Sequence, residues 1–225
     1  MMLGILYDIH GNLVALEAVL AEADEVEIDR WLLGGDYSTP SPWPQETLDR
    51  LRALPNATWI RGNGERWLRD PPLDRPEVVA TYEELGPGVP DDVVEWLYDL
   101  PAQAELDGVL YVHGSPLSDD ESFSAEPQEG EERLLAGVRD RTIVFGHSHL
   151  QFRRPGPDGT KLVNPGSVGM PLDGDARAAW AVRADDGEIA FRRTNYDVER
   201  AAAGWRSLGG DIGEFFAGRV EKGSD

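Results

Sequence analysis

The stretch that decides the fold is residues 2–7, MLGILY, which is followed at once by residues 8–12, DIHGN. A short apolar run bounded by a polar turn predicts a buried strand that ends at Asp8. Residues 13–23, LVALEAVLAEA, have apolar side chains at helical spacing and predict a helix. This order indicates an α/β sheet, where binding groups collect at the ends of the strands.

The same order continues through the next forty residues. Residues 30–33, RWLL, predict a second strand that ends in Gly34-Gly35-Asp36. A helix is predicted at 44–54, and a third strand, ATWI, at 57–60 leads into Arg61-Gly62-Asn63. The alternation of strands and helices argues for parallel strand pairs.

The rest of the chain divides into a helical middle, a strand-rich part and a helical tail. The middle, 71–101, is rich in proline and acidic residues and predicts a helical insert or cap, with helices at 77–85 and 91–100. Strands are predicted at 103–106 and 109–112, as a hairpin around Asp107-Gly108, and at 141–145, 152–154, 161–163, 178–183 and 188–193. Residues 197–225 return to a helical pattern. We therefore predict an α/β fold, a layered α-β-β-α sandwich of two mixed sheets flanked by helices, forming one domain over residues 1–225.

The composition limits which kinds of site and which partners the chain can have. The 225 residues are 40% apolar, which is the globular range, and include no cysteine, so disulfides and thiolate metal sites are excluded. The formal net charge of −21 disfavours nucleic acid as a partner. The chain shows no signal peptide and no apolar run of about 20 residues, so we expect a cytoplasmic protein with no membrane partner. Its oligomeric state is not readable.

All four histidines follow strand-like apolar runs, either beside glycine or within a turn of glycine and polar residues. An Asp-x-His or His-x-His pair after a strand can direct two side chains at one cation, and Asp36 and Asn63 can add oxygen ligands. The candidate metal ligands are Asp8, His10, Asp36, Asn63, His113, His147 and His149. Nitrogen and oxygen ligands of this kind suit Mn²⁺, Fe²⁺, Zn²⁺ or Ni²⁺.

Each candidate also has a structural interpretation when taken alone. A histidine near a strand end is usually a hydrogen-bonded core residue. Asp8 could cap the following helix, Asp36 could be a turn residue, and Asn63 could adopt a left-handed turn. The coincidence of all these residues at strand ends favours the metal site.

The ordered motifs D-x-H-G-N, G-G-D, G-N-x-E, V-H-G and G-H-x-H resemble the calcineurin-like metallophosphoesterase family over residues 3–182. The proline-rich stretch 38–44 and the stretch 162–169, LVNPGSVG, with Arg177 after it, are similar to its diadenosine-tetraphosphatase-like or simple phosphodiesterase-like bacterial and archaeal members.

This resemblance implies two divalent metal ions, with Mn²⁺ as the first choice and Fe, Zn, Ni or Mg as alternatives. It implies one ion on Asp8, His10, Asp36 and His149, and a second on Asp36, Asn63, His113 and His147. Asp36 would bridge the ions, and a hydroxide between them would attack phosphorus in line.

The chain departs from the family pattern at Gly64, where many members carry a histidine that contacts the phosphate. Asn12, Arg61 and Arg66 are candidates for that contact, and each arginine could equally be a solvated surface charge. Glu65 is expected to support the local turn. The stretch Asn164–Gly169 is expected to be a structural turn beside the metals, because it lacks the lysine and the spacing of a P-loop.

Three functions fit these features. We favour a phosphoesterase that hydrolyses phosphomonoester or phosphodiester bonds of a small phosphorylated substrate. The alternatives are a nuclease, which the acidic charge disfavours, and a non-catalytic metal-binding scaffold, which the loss of the histidine at Gly64 alone supports.

Overall fold

The computed structural model describes residues 2–39, 41–86 and 88–225. Met1, Pro40 of the proline-rich stretch 38–44 and Pro87 of the predicted insert 71–101 lie outside the described residues. In chain order the elements are β1 (Leu3–Leu6), α1 (Leu13–Val26), β2 (Arg30–Leu33), α2 (Pro44–Arg52), β3 (Ala57–Trp59), α3 (Asn63–Trp67), α4 (Pro76–Leu85), α5 (Asp91–Tyr98), β4 (Gln103–Leu106), β5 (Val109–Val112), a 3-10 helix (Glu131–Leu135), β6 (Thr142–Val144), β7 (Gln151–Pro155), β8 (Lys161–Pro165), β9 (Ala178–Arg183), β10 (Ile189–Thr194), α6 (Val198–Ser207) and α7 (Gly210–Lys222).

The strands form two five-stranded mixed sheets. The first has the order β10-β9-β1-β2-β3, in which β1, β2 and β3 are parallel to one another. Strand β9 is antiparallel to both of its neighbours, β1 and β10. The second has the order β4-β5-β6-β8-β7, in which β5, β6 and β8 are parallel. Because parallel strands end at the same edge of a sheet, the loops after β1 and β2 emerge together, as do those after β5, β6 and β8.

The two sheets pack face to face through a core of buried apolar side chains. Ile5, Leu32 and Ile60 from the first sheet meet Tyr111 and Val144 from the second, all fully buried. Burial of this apolar area is the main favourable contribution to folding. The packing fixes the loops of both sheets at a common edge.

Helices cover the outer faces. On the first sheet α1, α2 and α5 form one cluster with Trp31 and Trp180, and α6 and α7 pack on each other through Trp205. On the second sheet the covering helix is the short 3-10 helix, which buries Leu134 and Leu135 against β5, β6 and β8. Within residues 2–39, 41–86 and 88–225, the two mixed sheets and the seven α-helices confirm the predicted fold class.

Most predicted elements appear with small shifts at their ends. The strands at 30–33, 103–106, 109–112 and 178–183 have the predicted bounds, and the predicted insert contains α4 and α5. The sequence did not predict α3 or the 3-10 helix, because five residues are too few to show helical periodicity. Among the described residues, none of the helices has the length and apolarity needed to cross a membrane.

Candidate metal centre

The loops after β1 and β2 are joined by backbone hydrogen bonds, which place Asp8 and Asp36 side by side. Asp8 N donates to Gly35 O (3.1 Å), and His10 N donates to Asp36 O (2.9 Å). Gly35 has a φ of +97° and lies tightly against the backbone of Gly62, which brings the loop after β3 to the same place.

The loops of the second sheet reach the same point from the other side. Gly146 N donates to His113 O (2.7 Å), so the loops after β5 and β6 are tied together. His147 N then donates to Asp8 Oδ2 (3.0 Å), across the two sheets. The packing of the sheets therefore brings the two halves of the predicted ligand set into contact.

The first group of ligand atoms comes from Asp8, His10 and His149. His10 Nε2 and His149 Nε2 face each other at 3.1 Å, and His149 Nε2 lies 3.6 Å from Asp8 Oδ1. Asp36 Oδ2 is 3.7 Å from His10 Nε2. The ligand atoms of Asp8, His10 and His149 are close enough to share one cation.

The second group surrounds His113. Its Nε2 atom lies 3.4 Å from Asp36 Oδ2 and 3.7 Å from Asp8 Oδ1. One terminal atom of the Asn63 amide lies 3.0 Å from His113 Nε2 and 2.8 Å from His147 Nδ1. The structure thus brings all seven predicted ligands together. Asp8 belongs to both three-residue groups, Asp8-His10-His149 and Asp8-Asp36-His113, so the division of ligands between two ions, with Asp36 as the bridge, stays a prediction.

The imidazole orientations suit a divalent cation. His149 Nδ1 lies 2.6 Å from Met170 O, and His113 Nδ1 lies 2.8 Å from Gly34 O. A carbonyl can only accept, so each Nδ1 carries the hydrogen and each Nε2 is directed at the carboxylates. Two Nε2 atoms at 3.1 Å and two adjacent carboxylates form a donor set that a cation would satisfy. The residues therefore fit the divalent ions that the sequence implies.

Burial and mutual charge shift the pKa values of this cluster in opposite directions. Burial raises the pKa of Asp8 to about 8, with the charge of His113 opposing the shift and that of Asp36 adding to it. Burial alone would lower the pKa of His113, but the charge and hydrogen bond of Asp36 outweigh it and raise the pKa to about 10. Burial lowers the pKa of His147 to about 4, and it also lowers the pKa values of His10 and His149. Without a cation, protons compensate the buried carboxylates.

Five of the predicted ligands have a left-handed backbone. They are Asp8, His10, Asp36, His147 and His149, with φ between +46° and +64°. This region costs a non-glycine residue about 1–3 kcal/mol, and residues held there cluster at functional sites. The hydrogen bonds between the loops hold these conformations in place.

Two supporting features agree with their predicted roles. Glu65, fully buried, accepts backbone hydrogen bonds from Asp36, Tyr37 and Gly62 at 2.8–2.9 Å, which fixes the loops after β2 and β3. In the stretch 164–169, Asn164 donates to Gly146 O (2.9 Å) and Ser167 donates to Asp8 O (2.7 Å). This stretch is a structural turn that supports the ligand loops.

Asn12, a candidate for phosphate contact in the sequence, caps helix α1 in the structure. Its Oδ1 accepts from Ala15 N (3.1 Å) as the cap of α1, and its Nδ2 donates to Gly169 O (2.8 Å). The side chain is fully buried, and both ends of the amide make hydrogen bonds within the protein. The capping role considered for Asp8 is filled by Asn12 instead.

The two arginines border a cavity of about 390 Å³ that His113 also lines. Arg66 makes an ion pair with Asp119 through two hydrogen bonds (2.7 and 2.8 Å), so its guanidinium group already has a partner. Arg61 donates to Tyr98 O (2.7 Å), while its buried Nε has no hydrogen-bond partner among the described residues. Both arginines thus line the cavity, and Arg66 is already paired within the protein.

Gly64 lies directly against Asp36. Its N–H donates to Asp36 Oδ1 (2.7 Å), and a Cβ at this position would approach that oxygen to 2.8 Å. The hydroxyl of Tyr82, from α4, lies 3.4 Å from Gly64 O. The sequence did not predict Tyr82 as a site residue, because its helix carries no motif and lies far along the chain from the ligand loops.

The fold and the centre define a class of protein: a two-sheet α/β protein with a buried histidine-aspartate cluster where the loops of both sheets meet. Residues 1–187 match the Calcineurin-like phosphoesterase superfamily domain, and the chain belongs to this family. Membership supports metal-dependent phosphoester hydrolysis and implies divalent metal cofactors.

Similar proteins span nearly the whole chain. An uncharacterized protein of Methanocaldococcus jannaschii is 27% identical over 222 residues, covering 89% of this chain and 90% of its own. The crystal structure of a metallophosphoesterase from Sphaerobacter thermophilus has a TM-score of 0.79 at 26% identity, covering 99% of this chain and 100% of its own. A hypothetical protein from Pyrococcus horikoshii has the same TM-score at 21% identity, covering 100% of this chain and 99% of its own, and shares the fold.

Proposed function

We propose that this chain is a divalent-metal-dependent hydrolase of small phosphorylated substrates that cleaves phosphomonoester or phosphodiester bonds. The observation that carries the proposal is the convergence of Asp8, His10, Asp36, His113 and His149 on one buried point, with Asn63 and His147 beside them. Buried carboxylates packed against inward-facing imidazoles are costly unless a cation or protons compensate them.

The chain's own residues hold and orient the reacting groups. Asp8, His10, Asp36 and His149 would hold one ion and Asp36, Asn63, His113 and His147 a second, of which Mn²⁺ is our first choice. When bound, such ions supply a hydroxide near neutral pH and neutralise charge on the phosphoryl oxygens. Glu65 and the stretch 164–169 fix the ligand loops, so little reorganisation is needed on binding.

A small substrate is favoured by the shape and charge of the surroundings. The cavity beside His113 has about 390 Å³, within the range of small-molecule sites. Arg61 and Arg66 both line it, and the charge of Arg66 is balanced by Asp119. The net charge of −21 further disfavours a polyanionic partner.

The test is hydrolysis of p-nitrophenyl phosphate and bis-p-nitrophenyl phosphate by metal-stripped protein, with and without Mn²⁺, together with the count of bound metal. We expect Mn²⁺ to restore turnover and to bind at about two ions per chain. Asp36→Asn should abolish turnover and reduce the metal count, whereas Asp24→Asn, an exposed carboxylate on α1, should change neither. Metal binding without turnover of either ester would refute the hydrolase and leave a scaffold.

A further inference from the structure

Hydrolysis of a phosphoester leaves negative charge on the departing oxygen, and that oxygen needs a proton unless the leaving group is already a weak base. The predicted ligands cannot supply it, since their inward atoms would be bound to metal. The donor must come from a side chain beside the ligands that is not one of them.

Tyr82 meets this requirement by position. It lies on α4, in the region 71–101, and its hydroxyl lies 3.4 Å from Gly64 O. Gly64 N in turn donates to Asp36 Oδ1 at 2.7 Å. Gly64 therefore contacts the phenol through its carbonyl and the predicted bridging carboxylate through its N–H.

The ring is held in place by α3, the helix that begins at Asn63. Trp67 meets the Tyr82 ring edge to face, with centroids 6.2 Å apart and planes at 84°. Arg75 lies over the other ring of this pair, 5.5 Å from the Trp67 centroid. The helix that supplies Asn63 thus also positions the phenol.

The hydroxyl carries its hydrogen and lies beside both Gly64 O and the Thr39 side chain. A distance of 3.4 Å is long for an O–H···O bond, whose usual length is about 2.7–2.8 Å. Burial raises the pKa of Tyr82 well above its ordinary value, and the charges of Asp36 and Glu65 add to this, so the phenol keeps its hydrogen at neutral pH.

From this geometry we infer that Tyr82 is a further catalytic residue, which donates its phenol hydrogen to the leaving oxygen of the substrate. The inference rests on the proposed phosphoesterase function. Hydroxide forms a new bond to phosphorus, and the bond from phosphorus to the leaving oxygen breaks with its electron pair. That oxygen takes the hydrogen from Tyr82, and the phenolate regains one from water, which restores hydroxide.

The test compares Tyr82→Phe with wild type on phenyl and p-nitrophenyl esters, in the fully metal-loaded protein. Phenolate is a poorer leaving group than p-nitrophenolate and depends more on a proton donor. We therefore expect kcat for the phenyl ester to fall about 100-fold and kcat for the p-nitrophenyl ester by less than about threefold. Inorganic phosphate should still bind to Tyr82→Phe, as measured by calorimetry, with at most about a tenfold loss of affinity, because the metal ligands are intact.

Tyr98→Phe is the matched control. Tyr98 lies on α5, in the same region, and its hydroxyl donates to Asp70 (2.6 Å) rather than facing the ligands, so both rates should stay at the wild-type level. Equal losses on both esters in Tyr82→Phe would mean a structural role and would overturn the inference. A wild-type protein that hydrolyses neither ester would instead overturn the proposed function, and the inference with it.

Discussion

Glu65 connects the loops that carry Asp36 and Asn63 without being one of the predicted ligands. Its two oxygens accept three backbone N–H groups, two on Oε2 and one on Oε1. Burial, with the charge of Asp36, raises its pKa to about 7, so the carboxylate is ionised above neutrality. A single side chain therefore sets the spacing of two ligand loops.

We predict that Glu65→Gln lowers the free energy of unfolding by about 1–3 kcal/mol at about pH 8. The amide has one accepting oxygen, and its NH₂ group would face a backbone donor that loses its partner. Urea unfolding measures the change. Glu126→Gln, on an exposed loop, is the control and should leave stability within about 0.5 kcal/mol of wild type. An unchanged midpoint for Glu65→Gln would show that these backbone groups need no charged acceptor.

At the residue scale the sequence predicted the residues that converge at the centre but not their surroundings. Asp8, His147 and the others stood out because polar residues at the ends of apolar strands are chemically conspicuous. Asn12 caps α1, a role that was not predicted because a capping asparagine and a phosphate-binding asparagine look the same in a sequence. Tyr82 was missed because its contact with Gly64 depends on how a distant helix packs.

Among the elements, the 3-10 helix is attached to the second sheet by an ion pair with little solvent access. Arg154 on β7 and Glu131 on the 3-10 helix make two hydrogen bonds of 2.6 and 2.9 Å, and both side chains are less than one-tenth exposed. Glu131 also accepts from Gln128 N (3.1 Å). A helix of five residues has little intrinsic stability, so the ion pair helps to hold it against the sheet.

We predict that Arg154→Met destabilises the protein by about 3–5 kcal/mol, because it leaves the Glu131 carboxylate buried without its partner. The double variant Arg154→Met with Glu131→Met should recover most of that loss, since two apolar side chains need no compensation. Thermal unfolding of the two variants checks this. If the double variant were as unstable as the single one, the loss would come from packing of the arginine stem and not from the unpaired charge.

Elements with a clear period were predicted from the sequence, and the two short helices were not. The strands of the core, such as Arg30–Leu33 and Val109–Val112, are apolar runs between turns, and their bounds are set by those turns. By contrast, Asn63–Trp67 becomes helical through tertiary contacts, including the hydrogen bond from Gly64 N to Asp36. No local pattern encodes such a contact.

For the whole molecule, metal binding and folding are coupled through the same protons. In the metal-free protein the raised pKa values of Asp8 (about 8) and His113 (about 10) mean that both are protonated near pH 7. A folded-state pKa above the unfolded value stabilises at low pH, and that contribution is lost as pH rises through the folded-state pKa. The three remaining histidines have lowered pKa values and contribute no change above about pH 7.

We therefore predict that the free energy of unfolding of the metal-free protein falls from about pH 7 to about pH 9, and that saturating Mn²⁺ flattens this slope. Calorimetry in buffers of different ionisation enthalpy should show release of up to about two protons on Mn²⁺ binding at pH 7. Asp8→Asn cannot release the proton of Asp8 and should release about one fewer. Binding without any proton release would contradict the charge pattern of the buried cluster.

The order of the ligands along the chain has a consequence for synthesis. Asp8 is near the beginning, while His149 is encoded only about two-thirds of the way along, and the loops that carry them meet only when the sheets close on each other. A nascent chain in which His149 has not yet been synthesised, or a product truncated before it, lacks part of the centre. If the proposed hydrolysis needs the whole centre, an activity assay would report only chains that extend beyond His149 and ignore shorter products.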